Sequence, residues 1–270
     1  MTRALRRSLL PAVCLLAMVG CRSNSPIEDG ASGNATVVAT NTAPRGEPVQ
    51  FRAADGATVF AAYYPVANPK ALILLFHQAD SSKDEYAAIA PQLNREGYAA
   101  LAVDQRAGGK MYGTNQTAAA VAAKGGERPD YLSALADVGG AITWARARQL
   151  PIILWGSSYS ASLVFMAAPQ AGDQLKGVVA FSPGEYFSDK LMVERLAAKV
   201  DVPVFVDQAN DVGEIAEAKA IVKATASVDR QQYIPRSGIH GSSTLNATRN
   251  PAGADENWRA LLAFLKRIAP

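Results

Sequence analysis

The stretch PIILWGSSYSAS, residues 151–162, decides how this chain of 270 residues folds. Its apolar run Ile152–Trp155 predicts a buried strand, and the small residues after Ser158 predict a helix. Gly156 and Ser160 flank Ser158 and are small enough for a sharp turn between the two elements. This spacing is typical of a nucleophile elbow, which holds a serine above the end of a parallel strand. The first amides of the following helix then point toward negative charge that develops at the serine.

Apolar strands alternate with amphipathic helices along the chain on both sides of this elbow. The alternation predicts an α/β fold, with a mostly parallel sheet that is covered by helices on both faces. Residues 49–52 and 58–64 alternate around Ala54-Asp55-Gly56 and predict an antiparallel hairpin before the first parallel strand. Residues 182–202 offer room for one helix between two strands, so we expect no large cap.

The partners of a nucleophilic serine are few, because the chain has 2 histidines, His77 and His240. His240 lies in a glycine-containing loop between the last predicted strand and the last helix, and Asp211 follows the preceding strand. The order Ser158, Asp211, His240 is typical of a catalytic triad with His240 as general base and Asp211 as its orienting acid. Asp207 is the alternative acid, although we expect it to lie within the strand.

These motifs together resemble the α/β-hydrolase superfamily, and in particular small dienelactone-hydrolase-like serine hydrolases of bacterial envelopes. The resemblance covers residues 48–270 and includes the segments Asp104–Gly109 and Phe181–Tyr186. It implies the α/β-hydrolase fold and hydrolysis of carboxylic esters through an acyl-enzyme. The expected lack of a large cap favours small acyl groups.

The resemblance also implies where the oxyanion hole lies. Its donors would be the backbone amides of Ala79, two residues after His77, and of Tyr159, directly after the nucleophile. Gln78 stands where the family has glycine, so the Gln78 amide is the alternative to that of Ala79. We expect His77 itself to hold this loop by hydrogen bonds.

Other functions remain open at this point. The same fold and triad serve peptidases and thioesterases, and a silent envelope lipoprotein could use the fold for binding. We expect no cofactor and no metal, because two histidines on separate loops without clustered carboxylates do not form a metal site. The polar segment 106–128 either borders the pocket as a lid or forms a plain surface loop.

The first 46 residues indicate export rather than catalysis. Three arginines and the apolar run 9–19 predict a signal peptide over residues 1–20, and Cys21 follows small residues as in a lipoprotein signal. Residues 21–46 are polar and predict a flexible tether that precedes a hydrolase domain over residues 47–270. We expect lipidation of Cys21 and a place in the bacterial cell envelope, at the outer rather than the inner membrane. Periplasmic or secreted protein is the alternative.

Charge and cysteine content reduce the range of binding partners expected for the mature domain. The net charge of +3 comes from the three arginines of the signal, so the remaining chain is balanced and nucleic-acid binding is not indicated. The chain has 2 cysteines, Cys14 in the signal and Cys21 at the anchor, so the domain contains neither a disulfide nor a cysteine nucleophile. The expected partners are a small ester substrate and, through the anchor alone, a membrane.

Overall fold

A single sheet organises the part of the chain described by the computed structural model, residues 46–125 and 128–270. It has eight strands in the order β1-β2-β4-β3-β5-β6-β7-β8. The first two pairs in this order, β1 with β2 and β2 with β4, are antiparallel, and the other neighbours are parallel. The strands are β1 Glu47–Arg52, β2 Thr58–Tyr64, β3 Leu72–Phe76, β4 Ala99–Val103, β5 Ile152–Ser157, β6 Leu175–Phe181, β7 Val204–Asp207 and β8 Arg230–Tyr233.

Helices cover both faces of the sheet, as the continuous apolar runs of its central strands require. Over the described ranges the α-helices are α1 Ala90–Arg95, α2 Gln116–Ala122, α3 Leu135–Arg146, α4 Tyr159–Ala171, α5 Met192–Ala197, α6 Val212–Ala224 and α7 Ala254–Ile268. Leu72, Leu74 and Phe76 of β3 pack in one core with α3, α4, α5 and α6. The alternate residues Ile73 and Leu75 pack in a second core with α1 and α7. The predicted α/β-hydrolase architecture is therefore confirmed, including the N-terminal antiparallel hairpin.

Two ion pairs of Arg106 connect the hairpin and the end of β4 to the helical layer. The Arg106 guanidinium contacts Asp137 of α3 at 2.7 Å and Asp55 of the hairpin turn at 2.5 Å. The hydrogen bond from Arg106 lowers the pKa of Asp55 to about 2. Arg106 therefore has a structural role, because both of its partners lie outside the predicted triad.

Segment 106–128 contains a helix that the sequence did not predict. Helix α2 begins after Asn115, whose side chain accepts a hydrogen bond from the Ala118 N–H at 2.8 Å and caps the helix. Its sequence QTAAAVA has no apolar stripe, so periodicity could not reveal it. Between β6 and β7 the structure has one short helix, α5, and no large cap.

The predicted signal peptide, tether and lipidated Cys21 lie outside the described residues. Across the described segments, none of the helices is both long enough and apolar enough to span a membrane.

Candidate active site

The turn from β5 into α4 places Ser158 in the geometry that a nucleophile elbow requires. Ser158 has φ of 60° and ψ of −126°, and α4 begins at the next residue. A non-glycine residue in this region stores about 1–3 kcal/mol of backbone strain, which the surrounding structure must hold. Position 156 must be glycine, because a Cβ there would collide with the backbone of Ser160 and Ala161.

His240 occupies the position of a general base for Ser158. Its Nε2 lies 2.8 Å from the Ser158 Oγ. The loop that carries it is fixed just after the histidine, because the Gly241 N–H donates to the Ser182 Oγ at 2.9 Å. The Ser242 N–H donates to the Ser157 Oγ at the same distance of 2.9 Å. The two residues that the sequence paired, Ser158 and His240, are therefore brought together.

The acid that contacts His240 is Glu214 and not Asp211. The Glu214 Oε1 lies 2.8 Å from the His240 Nδ1. Asp211 instead caps α6, where its Oδ1 accepts hydrogen bonds from the Gly213 N–H at 2.9 Å and the Glu214 N–H at 3.1 Å. The prediction that Asp211 orients the imidazole is wrong in this geometry.

The start of α6 explains this correction. The hydrophobic pattern predicts that the helix begins near Ile215, which would leave Asp211 in a loop with its side chain free. The helix begins at Val212, so Asp211 becomes its N-cap and Glu214 lies in its first turn. An aspartate followed three residues later by a glutamate is a known helix-start signal, and this pattern could have identified the boundary.

Asp207, the alternative acid, also makes no contact with His240. It ends β7 and is fully buried, and neither of its carboxyl oxygens has a hydrogen-bond partner in the described structure. Burial raises the pKa of Asp207 well above its ordinary value, because the loss of water outweighs the opposing effect of the Gln208 backbone N–H. A carboxyl that burial keeps neutral cannot balance an imidazolium.

Glu214, in contrast, has the charge that the role requires. Burial opposes its ionisation, but hydrogen bonds from His240 and Ser182 outweigh burial and hold the pKa of Glu214 below its ordinary value. A second contact fixes the carboxylate, since its Oε2 accepts the Ala209 N–H at 3.1 Å. Glu214 is therefore an ionised, doubly held acceptor facing the Nδ1 of His240.

The candidate oxyanion loop follows β3, the strand next to β5 in the sheet. Gln78 cannot donate from its backbone to a substrate, because its N–H is bonded to the Glu85 Oε2 at 2.9 Å. In the described structure the Ala79 N–H donates to no protein acceptor. Of the two alternatives left open by the sequence, the geometry favours the Ala79 amide.

His77 fixes the direction of that amide. Its Nε2 accepts the Gln105 N–H at 2.9 Å, so the proton of the ring lies on Nδ1, which donates to the Gln78 carbonyl at 2.8 Å. Because carbonyl and N–H of a trans peptide point in opposite directions, this bond sets the direction of the Ala79 N–H. Burial lowers the pKa of His77 and keeps the ring neutral. Its contacts fit the expected loop-holding role.

The second candidate donor, the Tyr159 N–H, opens α4. As the first amide of a helix it has no intrahelical acceptor. Ser160, at the position where the motif usually has glycine, uses its hydroxyl to contact the His77 carbonyl and the Gln105 Oε1. The departure from glycine therefore adds a connection between the elbow and the oxyanion loop.

Comparison with known proteins shows the family to which the chain belongs. A family model described as serine aminopeptidase, S33, matches residues 67–232, more than half of the chain. The chain belongs to this family of α/β-hydrolases. A comparison with curated protein sequences found no match.

Solved structures share the fold of this hydrolase at low sequence identity. A dienelactone hydrolase from Anabaena variabilis is 15% identical with a TM-score of 0.61, covering 83% of this chain and 99% of that one. An esterase from Pyrococcus furiosus is 17% identical with a TM-score of 0.61, covering 83% and 93%. A monoglyceride lipase from Saccharomyces cerevisiae is 13% identical with a TM-score of 0.56, covering 83% and 95%.

Aromatic side chains lie beside the segments that carry Ser158 and His240. Tyr186 donates to the Ser182 carbonyl at 2.8 Å, and burial raises its pKa to about 12 against the opposing effect of a hydrogen bond with Ser158. Tyr131 stacks on Tyr159 with ring centroids 4.5 Å apart. Tyr112, from segment 106–128, lies 2.5 Å from the Ser243 hydroxyl and so places this segment beside the histidine loop. No three metal-ligating side chains come together within the described ranges.

Proposed function

We propose that this protein is a serine hydrolase that cleaves carboxylic esters of small acyl groups through an acyl-enzyme. The observation that carries the proposal is the unbroken hydrogen-bond chain from Ser158 through His240 to Glu214, with 2.8 Å at each link. This chain connects a nucleophile, a base and an ionised acid in the order that acyl transfer needs.

The chemistry follows from which atoms hold protons. Glu214 accepts the Nδ1–H of His240, which leaves the Nε2 lone pair directed at the Ser158 hydroxyl. As the Ser158 Oγ attacks the ester carbon, its proton passes to Nε2 and the carbonyl oxygen becomes an oxyanion. The amides of Ala79 and Tyr159 are the donors for this charge.

Collapse of that intermediate breaks the ester bond. The imidazolium of His240 gives its proton to the departing alkoxide, and the acyl group remains on Ser158. A water molecule then repeats the sequence, losing its proton to Nε2 while the Ser158 oxygen leaves and is reprotonated. Glu214 stabilises the imidazolium during both halves of the cycle.

The surroundings favour small or extended acyl substrates that enter from solvent. Of the three side chains in the chain of hydrogen bonds, His240 is 41% and Glu214 25% exposed. No large cap intervenes between β6 and β7 to close the site. The esterases and the monoglyceride lipase of the same fold, the latter solved with a substrate analogue, support an ester as substrate.

A peptide amide is the second candidate substrate, because the matching family model is described as a serine aminopeptidase. The same serine and base could attack an amide, so the triad alone does not discriminate. A p-nitrophenyl ester and a p-nitroanilide with the same acyl group separate the two possibilities.

The test is the variant Ser158→Ala, with labelling by a fluorophosphonate and hydrolysis of p-nitrophenyl acetate and butyrate as measurements. Loss of the nucleophile should abolish labelling and lower kcat by on the order of 10⁴-fold or more. Ser188→Ala is the matched control, because Ser188 is an exposed serine outside the hydrogen-bond chain. A wild-type protein that is folded but neither labelled nor active would refute hydrolysis and favour a silent binding protein.

The same proposal includes a location. The lipoprotein-type sequence around Cys21 favours a hydrolase held by lipid at the bacterial envelope, with the outer membrane preferred and free periplasmic or secreted protein as the alternative.

A further inference from the structure

A buried carboxyl lies behind the candidate site and takes no part in the triad. Glu85 belongs to a one-turn 3-10 helix, Lys83–Tyr86, and is 2% exposed. Its Oε2 accepts the Gln78 N–H at 2.9 Å, and its Oε1 accepts the Ser157 hydroxyl at 2.7 Å. The two oxygens therefore connect the oxyanion loop with the residue just before the nucleophile.

A third segment joins this connection through the Ser157 hydroxyl. The Ser157 Oγ accepts the Ser242 N–H at 2.9 Å, two residues beyond the candidate base. The packing there is tight, because a Cβ at Gly241 would lie 2.6 Å from the Ser157 Oγ and 3.4 Å from the Gln78 Oε1. Glu85 is thus the point at which the oxyanion loop, the elbow and the histidine loop are held together.

Such a residue is costly to bury. Burial raises the pKa of Glu85, and the described structure contains no lysine or arginine in a salt bridge with it. Replacement by an apolar side chain would remove this desolvation cost but would leave the Gln78 N–H without an acceptor. The role of the Glu85 carboxyl is therefore to supply hydrogen-bond acceptors to the Gln78 N–H and the Ser157 hydroxyl.

These hydrogen bonds fix the direction of the Ala79 backbone N–H. The peptide between His77 and Gln78 is held at its carbonyl by Ser160 and at its N–H by Glu85. The next peptide is held at its carbonyl by His77. Its N–H, that of Ala79, is the one group of these two peptides that has no hydrogen-bond partner among the described residues, and it is available to a substrate.

We propose that Glu85 is a positioning residue that fixes the Ala79 amide toward the oxyanion through Gln78. The inference rests on the proposed ester hydrolysis, since an oxyanion forms only in that reaction. Loss of Glu85 should impair the transition state and leave ground-state binding unchanged, because the oxyanion is absent from the bound ester.

The experiment compares Glu85→Leu with Glu85→Gln. Leucine keeps the volume and removes both acceptors, whereas glutamine keeps an acceptor for the Gln78 N–H and can donate to the Ser157 Oγ. We expect Glu85→Leu to lower kcat by about 10²-fold, the cost typical of a misplaced or lost oxyanion donor, with KM within about threefold. Glu85→Gln should restore kcat to within about tenfold of wild type.

A second measurement reports on the oxyanion directly. A trifluoromethyl ketone forms a tetrahedral adduct with the nucleophile. In Glu85→Leu its inhibition constant should therefore rise in proportion to the loss of kcat/KM. The matched control is Asp84→Asn, which removes an acidic charge from the same helical turn without a hydrogen bond to the oxyanion loop. It should leave kcat, KM and the inhibition constant unchanged.

Two measures separate an effect on catalysis from a loss of folded protein. Rates are expressed per active site titrated with a fluorophosphonate, and Ser157→Ala provides a milder variant that removes one hydrogen bond of Glu85. Because the hydrogen bond between Glu85 and the Gln78 N–H remains, Ser157→Ala should lower kcat and ketone affinity less than Glu85→Leu does and should leave KM unchanged. Wild-type kcat and ketone affinity in Glu85→Leu, or a Glu85→Gln variant no more active than Glu85→Leu, would overturn the inference alone. An inactive, unlabelled wild type would overturn the proposed function together with it.

Discussion

Replacing Glu214 by glutamine tests the identity of the catalytic acid. The amide has nearly the shape of the carboxylate, but it carries no charge to balance the imidazolium. It can also present an N–H to the His240 Nδ1, which favours the tautomer whose Nε2 is protonated and cannot accept the Ser158 proton. The comparable change in a buried triad costs about 10⁴-fold in kcat.

The exposure of this site reduces that figure. Glu214 is 25% and the His240 side chain 41% exposed, so water partly solvates the imidazolium when the carboxylate is lost. We expect kcat/KM for p-nitrophenyl butyrate to fall by about 10³-fold, or about 4 kcal/mol of transition-state stabilisation. The fold should survive, because Asp211 still caps α6.

Asp211→Asn is the matched comparison, since it makes the same chemical change three residues earlier. Asparagine caps helices about as well as aspartate, so the free energy of unfolding should change by less than about 1 kcal/mol. Its kcat/KM should stay within about threefold of wild type. The assignment of Glu214 is refuted if Asp211→Asn loses orders of magnitude in rate while Glu214→Gln remains active.

Three further predictions concern other parts of the chain. Cys21→Ser should block lipidation and move the protein from the detergent phase to the aqueous phase in a partitioning assay, and unchanged partitioning would contradict the anchor. Asp207→Asn should gain stability relative to wild type as pH rises from about 4, because the raised pKa of Asp207 makes its deprotonation oppose folding there. The check is urea unfolding of both proteins at pH 5 and pH 8. The same difference in unfolding free energy between variant and wild type at both pH values would contradict this prediction. Gly156→Ala should lose both stability and activity, since its Cβ would collide with the backbone of Ser160 and Ala161; a normal melting temperature and rate would show that the turn can relax.

The sequence predicted those features that depend on periodicity and on small residues at fixed positions. The apolar runs of the parallel strands gave the sheet, and Gly156 with Ser158 gave the elbow. The scarcity of histidine led to His240, which lies 2.8 Å from Ser158. These signals are local, so one sequence was enough.

What could not be predicted depends on helix boundaries and on contacts between distant segments. Moving the start of α6 by three residues converts Asp211 into a cap and brings Glu214 to the imidazole. Glu85 gave no signal, because its contacts with Gln78 and Ser157 exist only after the strands have assembled. Glutamates in a polar helical turn are usually solvated, so burial was the deciding information.

The three members of the hydrogen-bond chain belong to regions of unequal packing. Ser158 precedes α4, in which ten of thirteen residues are buried, at the centre of the sheet. Glu214 lies on α6, which buries Ala218, Ile221 and Val222 and packs beside the edge strand β8. Hydrogen exchange should therefore be faster in α6 than in α4, since sparsely packed elements open locally at lower free energy. Each such opening separates the acid from the base while the nucleophile and oxyanion amides stay in place. On mild heating the enzyme would stop working reversibly, well before its central strands come apart.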